Sequence, residues 1–252
     1  MLPVRRPAGQ SDLPLLPLPA VISIVMPAHN EEGYLEPAVK AVVAGMATRG
    51  HDYEVIIVQN GSSDGTSQEA DRLEAAYPHV SVVNRAEADY GKALRDGFLR
   101  ARGDIVVNFD VDLVDLDFLD RALAVMQEGP AAVVVGSKRG PGSDDRRGLA
   151  RRLVTTTFSV VLRFGFGLHS SDTHGLKALR RGPLETLAAR CHFGQDIFDT
   201  ELIIRAERNG LQVREIPVAI SDTRPPRTSI ARRIPRTLLG LGRLWLVLRR
   251  DR

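Results

Sequence analysis

Apolar residues along this 252-residue chain fall into short continuous runs that alternate with stretches of helical spacing. Runs at 21–26 (VISIVM), 53–58 (YEVIIV), 80–83 (VSVV), 105–109 (IVVNF) and 131–136 (AAVVVG) are rich in β-branched residues. Their shape is that of strands buried on both faces. Between them, residues 35–48, 67–76, 91–101 and 116–127 place apolar side chains three and four apart. Pro37 stands in a first turn and Gly50 beyond an end, as helices allow. Residues 153–166 and 198–208 predict two later helices, and 212–220 a last strand. Strand and helix alternating over short connections predict an α/β fold, a mostly parallel sheet with helices on both faces. Residues 137–152, rich in Gly, Asp and Arg, lack an apolar period and predict a surface loop. It is longer than most connections, which favours a functional loop over an idle one.

The fourth strand runs into two aspartates, Asp110 and Asp112. Ligands of open α/β sheets sit beyond the carboxyl ends of the strands, and strand alternation would turn both carboxylates to one side. Converging carboxylates repel unless a cation lies between them, and hard cations favour carboxylate and phosphate oxygen. The same pair also suits an acidic turn capping the helix that follows. The loop after the second strand, Gln59 to Thr66, is small and polar, fit to bring backbone close to a ligand. No G-x-G-x-x-G follows the first strand and no G-x-x-x-x-G-K-[ST] occurs, so neither dinucleotide nor P-loop chemistry has local support.

Composition changes the picture in three places. An apolar content of 43% is enough for a substantial core, and one cysteine, Cys191, excludes an internal disulfide framework and fits a reducing compartment. No apolar run approaches the roughly 20 residues of a membrane span. Pro14, Pro17 and Pro19 interrupt the start, so residues 1–20 are expected to be a flexible leader. The net charge of +3 is uneven: residues 224–252 hold nine Arg and one Asp, a local +8 that leaves −5 on residues 1–223. The body is thereby a poor nucleic-acid binder. The tail, with LLGLGRLWLVL at 238–248, is expected to form amphipathic helices that lie on an anionic membrane, or else to bury that stripe within protein.

Four stretches, VISIVMPAHNEE (21–32), VQNGSSDGT (58–66), GKALRDGF (91–98) and NFDVD (108–112), together resemble the family 2 glycosyltransferases of the GT-A fold. GSKRGPGS (136–143), ARRLVTT (150–156) and DTHGLKALRR (172–181) are similar to the polyprenyl-phosphate (dolichyl-phosphate) mannosyl- and glucosyltransferase branch. The resemblance implies a nucleotide-sugar half at 21–115, an acceptor half at 116–223 and a basic tail at 224–252. It implies a UDP- or GDP-sugar donor held by Pro27, Ala28, His29, Glu31, Asn60, Lys92 and Asp110. Mg²⁺ or Mn²⁺ would sit on Asp110 and Asp112. A lipid-phosphate acceptor would meet Lys138, Arg151, Thr155, His174, Arg224 and Ser229. Asp199 and Glu201 fall where relatives keep a catalytic base, with Asp172 and His174 as further candidates. Gln59-Asn60 replaces the family's usual acidic pair, and Val114 stands where some relatives supply a third ligand.

The implied reaction is an inverting, metal-dependent hexosyl transfer by an enzyme peripheral to the inner face of the cytoplasmic membrane, with no nucleic-acid partner. A soluble phosphorylated or hydroxyl acceptor, and a non-catalytic sugar-nucleotide-binding protein, are the alternative readings.

Overall fold

The computed structural model describes residues 20–138, 144–145, 149–170, 172–195, 197–220 and 230–250, with backbone alone for 144–145, 149–155, 220 and 230–235. In chain order the elements are β1 (Ile22–Ala28), α1 (Leu35–Met46), β2 (Tyr53–Asn60), α2 (Thr66–Ala76), β3 (Val80–Arg85), α3 (Tyr90–Arg100), β4 (Ile105–Asn108), α4 (Leu116–Glu128) and β5 (Ala131–Ser137). There follow β6 (Asp144–Asp145), α5 (Leu149–Phe166), β7 (Lys177–Arg180), α6 (Arg181–Arg190), α7 (Phe198–Arg208), β8 (Gln212–Pro217), β9 (Ala219–Ile220) and α8 (Ile230–Arg250).

Seven strands form one sheet in the order β3-β2-β1-β4-β7-β5-β8, while β6 and β9 pair separately. All contacts within β3-β2-β1-β4 are parallel, and β7 runs antiparallel to both β4 and β5. Alternation along the strands divides the interior in two. Ile24, Met26, Val55 and Ile57 face one core with α1, α2 and α4, whereas Val25, Ile56 and Val58 face the other with α3, α6 and α7. Close approach explains one glycine: a Cβ at Gly97 of α3 would fall 2.3 Å from Val25 Cγ1.

Strands β1 to β5 and the first four helices match the sequence reading, but two points differ. β7 and α6 were not foreseen, because Leu176-Lys177-Ala178-Leu179 is short and interrupted by a lysine. α5 begins at Leu149, inside the stretch expected to be loop. The tail, expected as one or two amphipathic helices lying on a membrane or buried within protein, has among the described residues one helix, whose Leu241, Leu244 and Leu248 are buried in the second core, with Gly240 against Ile197. Part of the stripe is therefore satisfied by protein, while Leu238, Leu239 and Leu246 stay exposed. Residues 1–19 of the expected leader lie outside the described residues, and Ala20 is already core. Cys191 is buried, and burial pushes its thiol up, so it stays protonated and inert.

Docking of α8 gives a direct test. Leu244→Ala should cost about 2–5 kcal/mol in chemical denaturation, and Leu246→Ala, at an exposed position, less than about 0.5 kcal/mol. Equal, small losses would separate α8 from the core.

Candidate active site

The strand order reverses direction between β1 and β4, so the crevice of the sheet opens where these strands end. β1 delivers Pro27 and Ala28, and the chain then turns through Asn30, which adopts a left-handed φ of 54°. Asn30 is stitched to the loop after β2: Ser63 N–H donates to its Oδ1 at 2.8 Å and its own N–H donates to Ser62 Oγ at 3.1 Å. Glu31 N–H donates to Thr66 Oγ1 at 2.7 Å. His29 Nδ1 lies 2.8 Å from the Asn60 carbonyl; a carbonyl only accepts, so Nδ1 carries the proton. These contacts bring Pro27, Ala28, His29, Glu31 and Asn60 together at the ends of β1 and β2.

Gln59 and Asn60 are buried. The Gln59 oxygen accepts Gly61 N–H at 3.2 Å, and the oxygen of Asn60, expected among the donor-holding residues, accepts Asp89 N–H at 2.8 Å. Asn60 thus ties β2 to the start of α3. Asp89 is the α3 N-cap, and its Oδ1 accepts Lys92 N–H at 3.0 Å and Gln195 N–H at 2.6 Å. Lys92 is exposed on the first turn of this helix.

Beyond β4 the two aspartates come together differently from the expectation. β4 ends at Asn108, and a turn closed by Leu113 N–H donating to Asp110 O at 2.9 Å carries Asp110 and Asp112. Val111 between them is buried, and Val114 packs against the first core. A turn, and not strand alternation, therefore sets their separation. Asp110 is half-buried and Asp112 exposed. Burial pushes Asp110 up to about 6; the hydroxyl of Tyr90, donating to Oδ1 at 2.8 Å, opposes this, and the charge of Asp112 adds to it.

Behind this turn lies a buried cation whose charge lowers the proton affinity of Asp110. Lys177, fully buried, donates to Gly175 O at 2.8 Å and sits 3.0 Å from Asp199 Oδ1. That ion pair lacks hydrogen-bond geometry at Asp199 Oδ1. The Asn108 amide also donates to Gly175 O, at 3.2 Å, and its own oxygen is buried with no partner. Asp199 is thereby placed beside Asp110. Glu201 is not: its oxygens accept His192 and Phe193 N–H and pair with Arg205, all internally, so the structure gives it a scaffolding place in contrast to the expected base.

In the turn expected to meet the acceptor, Asp172 Oδ1 accepts His174 N–H at 3.1 Å, while Asp172 Oδ2 is buried without a partner. His174 Nδ1 contacts Thr173 Oγ1, which meets Thr200 Oγ1 of α7. Phe158 of α5 sets its ring against the His174 ring at 5.6 Å, and Lys138, at the end of β5, reaches Gly175. The side chains of Arg151 and Thr155, and the whole of Arg224 and Ser229, lie outside the described residues. Lys177, Tyr90 and Asn108 escaped the sequence reading. A lysine between Leu176 and Ala178, at the head of a four-residue strand, was the available signal, since buried polar residues are the informative ones.

The family model for glycosyl transferase family 2 matches residues 23–188. The chain belongs to glycosyltransferase family 2. Among its relatives, glycosyltransferase AglD of Haloferax volcanii is 29% identical over 229 residues, covering 88% of this chain and 36% of the relative. Dolichyl-phosphate beta-glucosyltransferase ALG5A of Trichomonas vaginalis is 24% identical, covering 80% and 66%. Undecaprenyl-phosphate 4-deoxy-4-formamido-L-arabinose transferase of Pseudomonas fluorescens is 29% identical, covering 79% and 56%. The chain thus spans from about a third to about two thirds of the length of these curated relatives. Glucosyl-3-phosphoglycerate synthase of Mycobacterium tuberculosis, solved with Mn²⁺, UDP and its glucosylated product, superposes with a TM-score of 0.61 at 23% identity, over 90% of this chain and 76% of that one. Mannosyltransferase PcManGT of Pyrobaculum calidifontis, with GDP-Man and Mn²⁺, gives 0.60 at 23%, over 89% and 63%. The fold of this family 2 member is GT-A.

Do its residues fit the divalent ion of those neighbours? Among the described residues, no three His, Cys, Asp or Glu gather into a metal cluster. Yet the proton affinity of Asp110 is raised first by burial and then by the charges of Asp112 and Asp199, with Lys177 opposing them, so three carboxylates act at one place. A hard dication with further oxygen ligands suits that set.

The raised Asp110 carries a stability signature. The native carboxyl keeps its proton to about pH 6, while an unfolded aspartate loses it near pH 4. Its contribution therefore favours the fold at low pH and is lost as pH rises through about 6. In chelator, Asp110→Asn should exceed wild type in stability by about 1–2 kcal/mol at pH 8, with the gap closing by about pH 4. Denaturation at the two pH values checks it; a pH-independent difference contradicts the burial of this carboxyl.

Proposed function

We propose that this protein transfers a hexose from a UDP- or GDP-sugar to a polyprenyl phosphate at a membrane surface, with inversion and with Mg²⁺ or Mn²⁺. The observation that carries this reading is the set of Asp110 and Asp112 on the turn after β4, with Asp199 paired to buried Lys177 behind it, at the strand switch point next to the loops from β1 and β2. Asp110 and Asp112 would hold the ion, which stabilises the charge of the departing nucleoside diphosphate. Lys92, exposed on the first turn of α3, adds a cation on the donor side. Pro27, Ala28, His29 and Glu31 line the nucleoside end.

Lipid phosphate as acceptor is supported by the names of two relatives, a dolichyl-phosphate and an undecaprenyl-phosphate transferase. It is also consistent with Asp199. Its carboxylate is already engaged by the buried Lys177 ammonium, and an ionised phosphate needs no base. Lys138 beside the 172–175 turn, together with Arg151, Thr155, Arg224 and Ser229, would hold that phosphate. Attack on the anomeric carbon comes from the face opposite the diphosphate.

A membrane surface is supported by two helices that pack on the same second core. α5 exposes Val160, Val161 and Phe164, the last 83% accessible, and α8 exposes Leu238, Leu239 and Leu246 among arginines. Trp245 lies under the Arg249 guanidinium, 3.5 Å from its ring centroid, an arrangement suited to the headgroup boundary. Among the described residues no helix is long and apolar enough to cross a membrane.

Asp112→Ala should reduce metal-dependent sugar transfer to a short polyprenyl phosphate by at least about a hundredfold, while leaving the melting temperature in chelator unchanged, because the residue is exposed. A near wild-type rate overturns the metal assignment. Separately, serine at Phe164, Leu238 and Leu239 should weaken co-sedimentation with anionic vesicles by about tenfold or more, with wild-type binding declining as salt rises. Unchanged sedimentation, or indifference to anionic lipid, removes the membrane from the proposal.

A further inference from the structure

We propose that Tyr90 is a positioning residue for Asp110, whose hydroxyl holds Oδ1 so that Oδ2 is presented to the divalent ion. The inference rests on the metal reading above and goes beyond it, naming the group that orients the metal carboxylate.

Three constraints fix the position of Tyr90. It is the first residue of α3, directly after the Asp89 cap, and the cap is held by Asn60 on one side and Gln195 on the other. Gly91, next in sequence, leaves no slack: a Cβ there would fall 2.6 Å from Phe198 Cβ and 2.7 Å from Gly194 C. The Tyr90 ring packs against the second core. Its hydroxyl thus reaches the acidic cluster from a rigid base.

At that point the hydroxyl meets the fields of three carboxylates. Burial, then Asp110 and Asp199, then Asp112 raise its own proton affinity, so the phenol stays a donor. It has one proton, and gives it to Asp110 Oδ1 at 2.8 Å. A phenol cannot turn that hydrogen bond on and off without moving its ring. The bond therefore selects one rotamer of Asp110, as groups behind metal ligands commonly do. Gln195 adopts a left-handed φ of 44° to place the N–H that clamps Asp89. Strain at this spot is consistent with the loop being held for the sake of α3.

Tyr90→Phe keeps the ring and removes only the hydroxyl. With the full chain stripped of metal, Mn²⁺ binding followed by electron paramagnetic resonance of the free ion should weaken about tenfold, the worth of a hydrogen bond to a charged group. In sugar-transfer assays the Mn²⁺ concentration for half-maximal rate should rise by the same factor, while kcat at saturating Mn²⁺ returns to within about twofold of wild type. Unchanged Mn²⁺ affinity in the variant overturns the inference. So does a loss of kcat that saturating Mn²⁺ does not restore, which indicates a role in the scaffold or the chemistry. If wild type itself binds no Mn²⁺, the metal assignment falls and this inference falls with it.

Discussion

A single buried ammonium governs the arrangement of this site. Lys177 has no access to solvent, and an isolated charge in such a place is untenable without partners. It finds them in the Gly175 carbonyl and the Asp199 carboxylate, and its field reaches Asp110. Each partner comes from a different part of the chain: the turn before β7, the first turn of α7 and the turn after β4. One charge thereby locks three segments to a common point. Breaking such a pair from one side leaves an unpaired charge in the interior, which is far costlier than the net worth of the pair itself.

Around that point the backbone is arranged to spare the carboxylates internal hydrogen bonds. Amide donors of neighbouring loops go instead to Asn60, Asp89, Glu69 and Glu201, all serving structure. Asp110 receives one phenolic proton and is otherwise held by electrostatics. The distinction between acids that brace loops and acids that do not is drawn by who donates to them. Burial alone does not draw it, since Glu201 is more deeply buried than Asp110.

Much of this was legible in the chain. The runs that became β1, β2, β4 and β5 are continuous and β-branched, and a strand buried on two faces demands such composition. Asp110 and Asp112 were identifiable because two acids follow such a run. What the sequence concealed follows from short range and shared burial. β7 is four residues with a lysine at its head, too brief for a period to emerge. α7 is buried from Phe198 to Ala206, charged positions included. Glu201 there is satisfied by Arg205 one turn on and by amides of residues 192 and 193, partners that no helical pattern announces. Tyr90 lay beside Gly91-Lys92, and the lysine drew attention that the geometry gives to the tyrosine.

The reversed direction of β7 has a further implication. Because this strand runs against β4, its amino end lies level with the carboxyl end of β4, pairing Asn108 with Lys177. The segment from 172 to 176 therefore enters the crevice as the approach to a strand, whereas the segments from β1, β2 and β4 enter as exits. Two families of loops meet there, threaded in opposite senses and anchored on separate strands. Length or sequence can change in the incoming segment without shifting the register of the outgoing ones. A lineage built on this sheet can remodel the incoming loop while leaving the outgoing ones untouched.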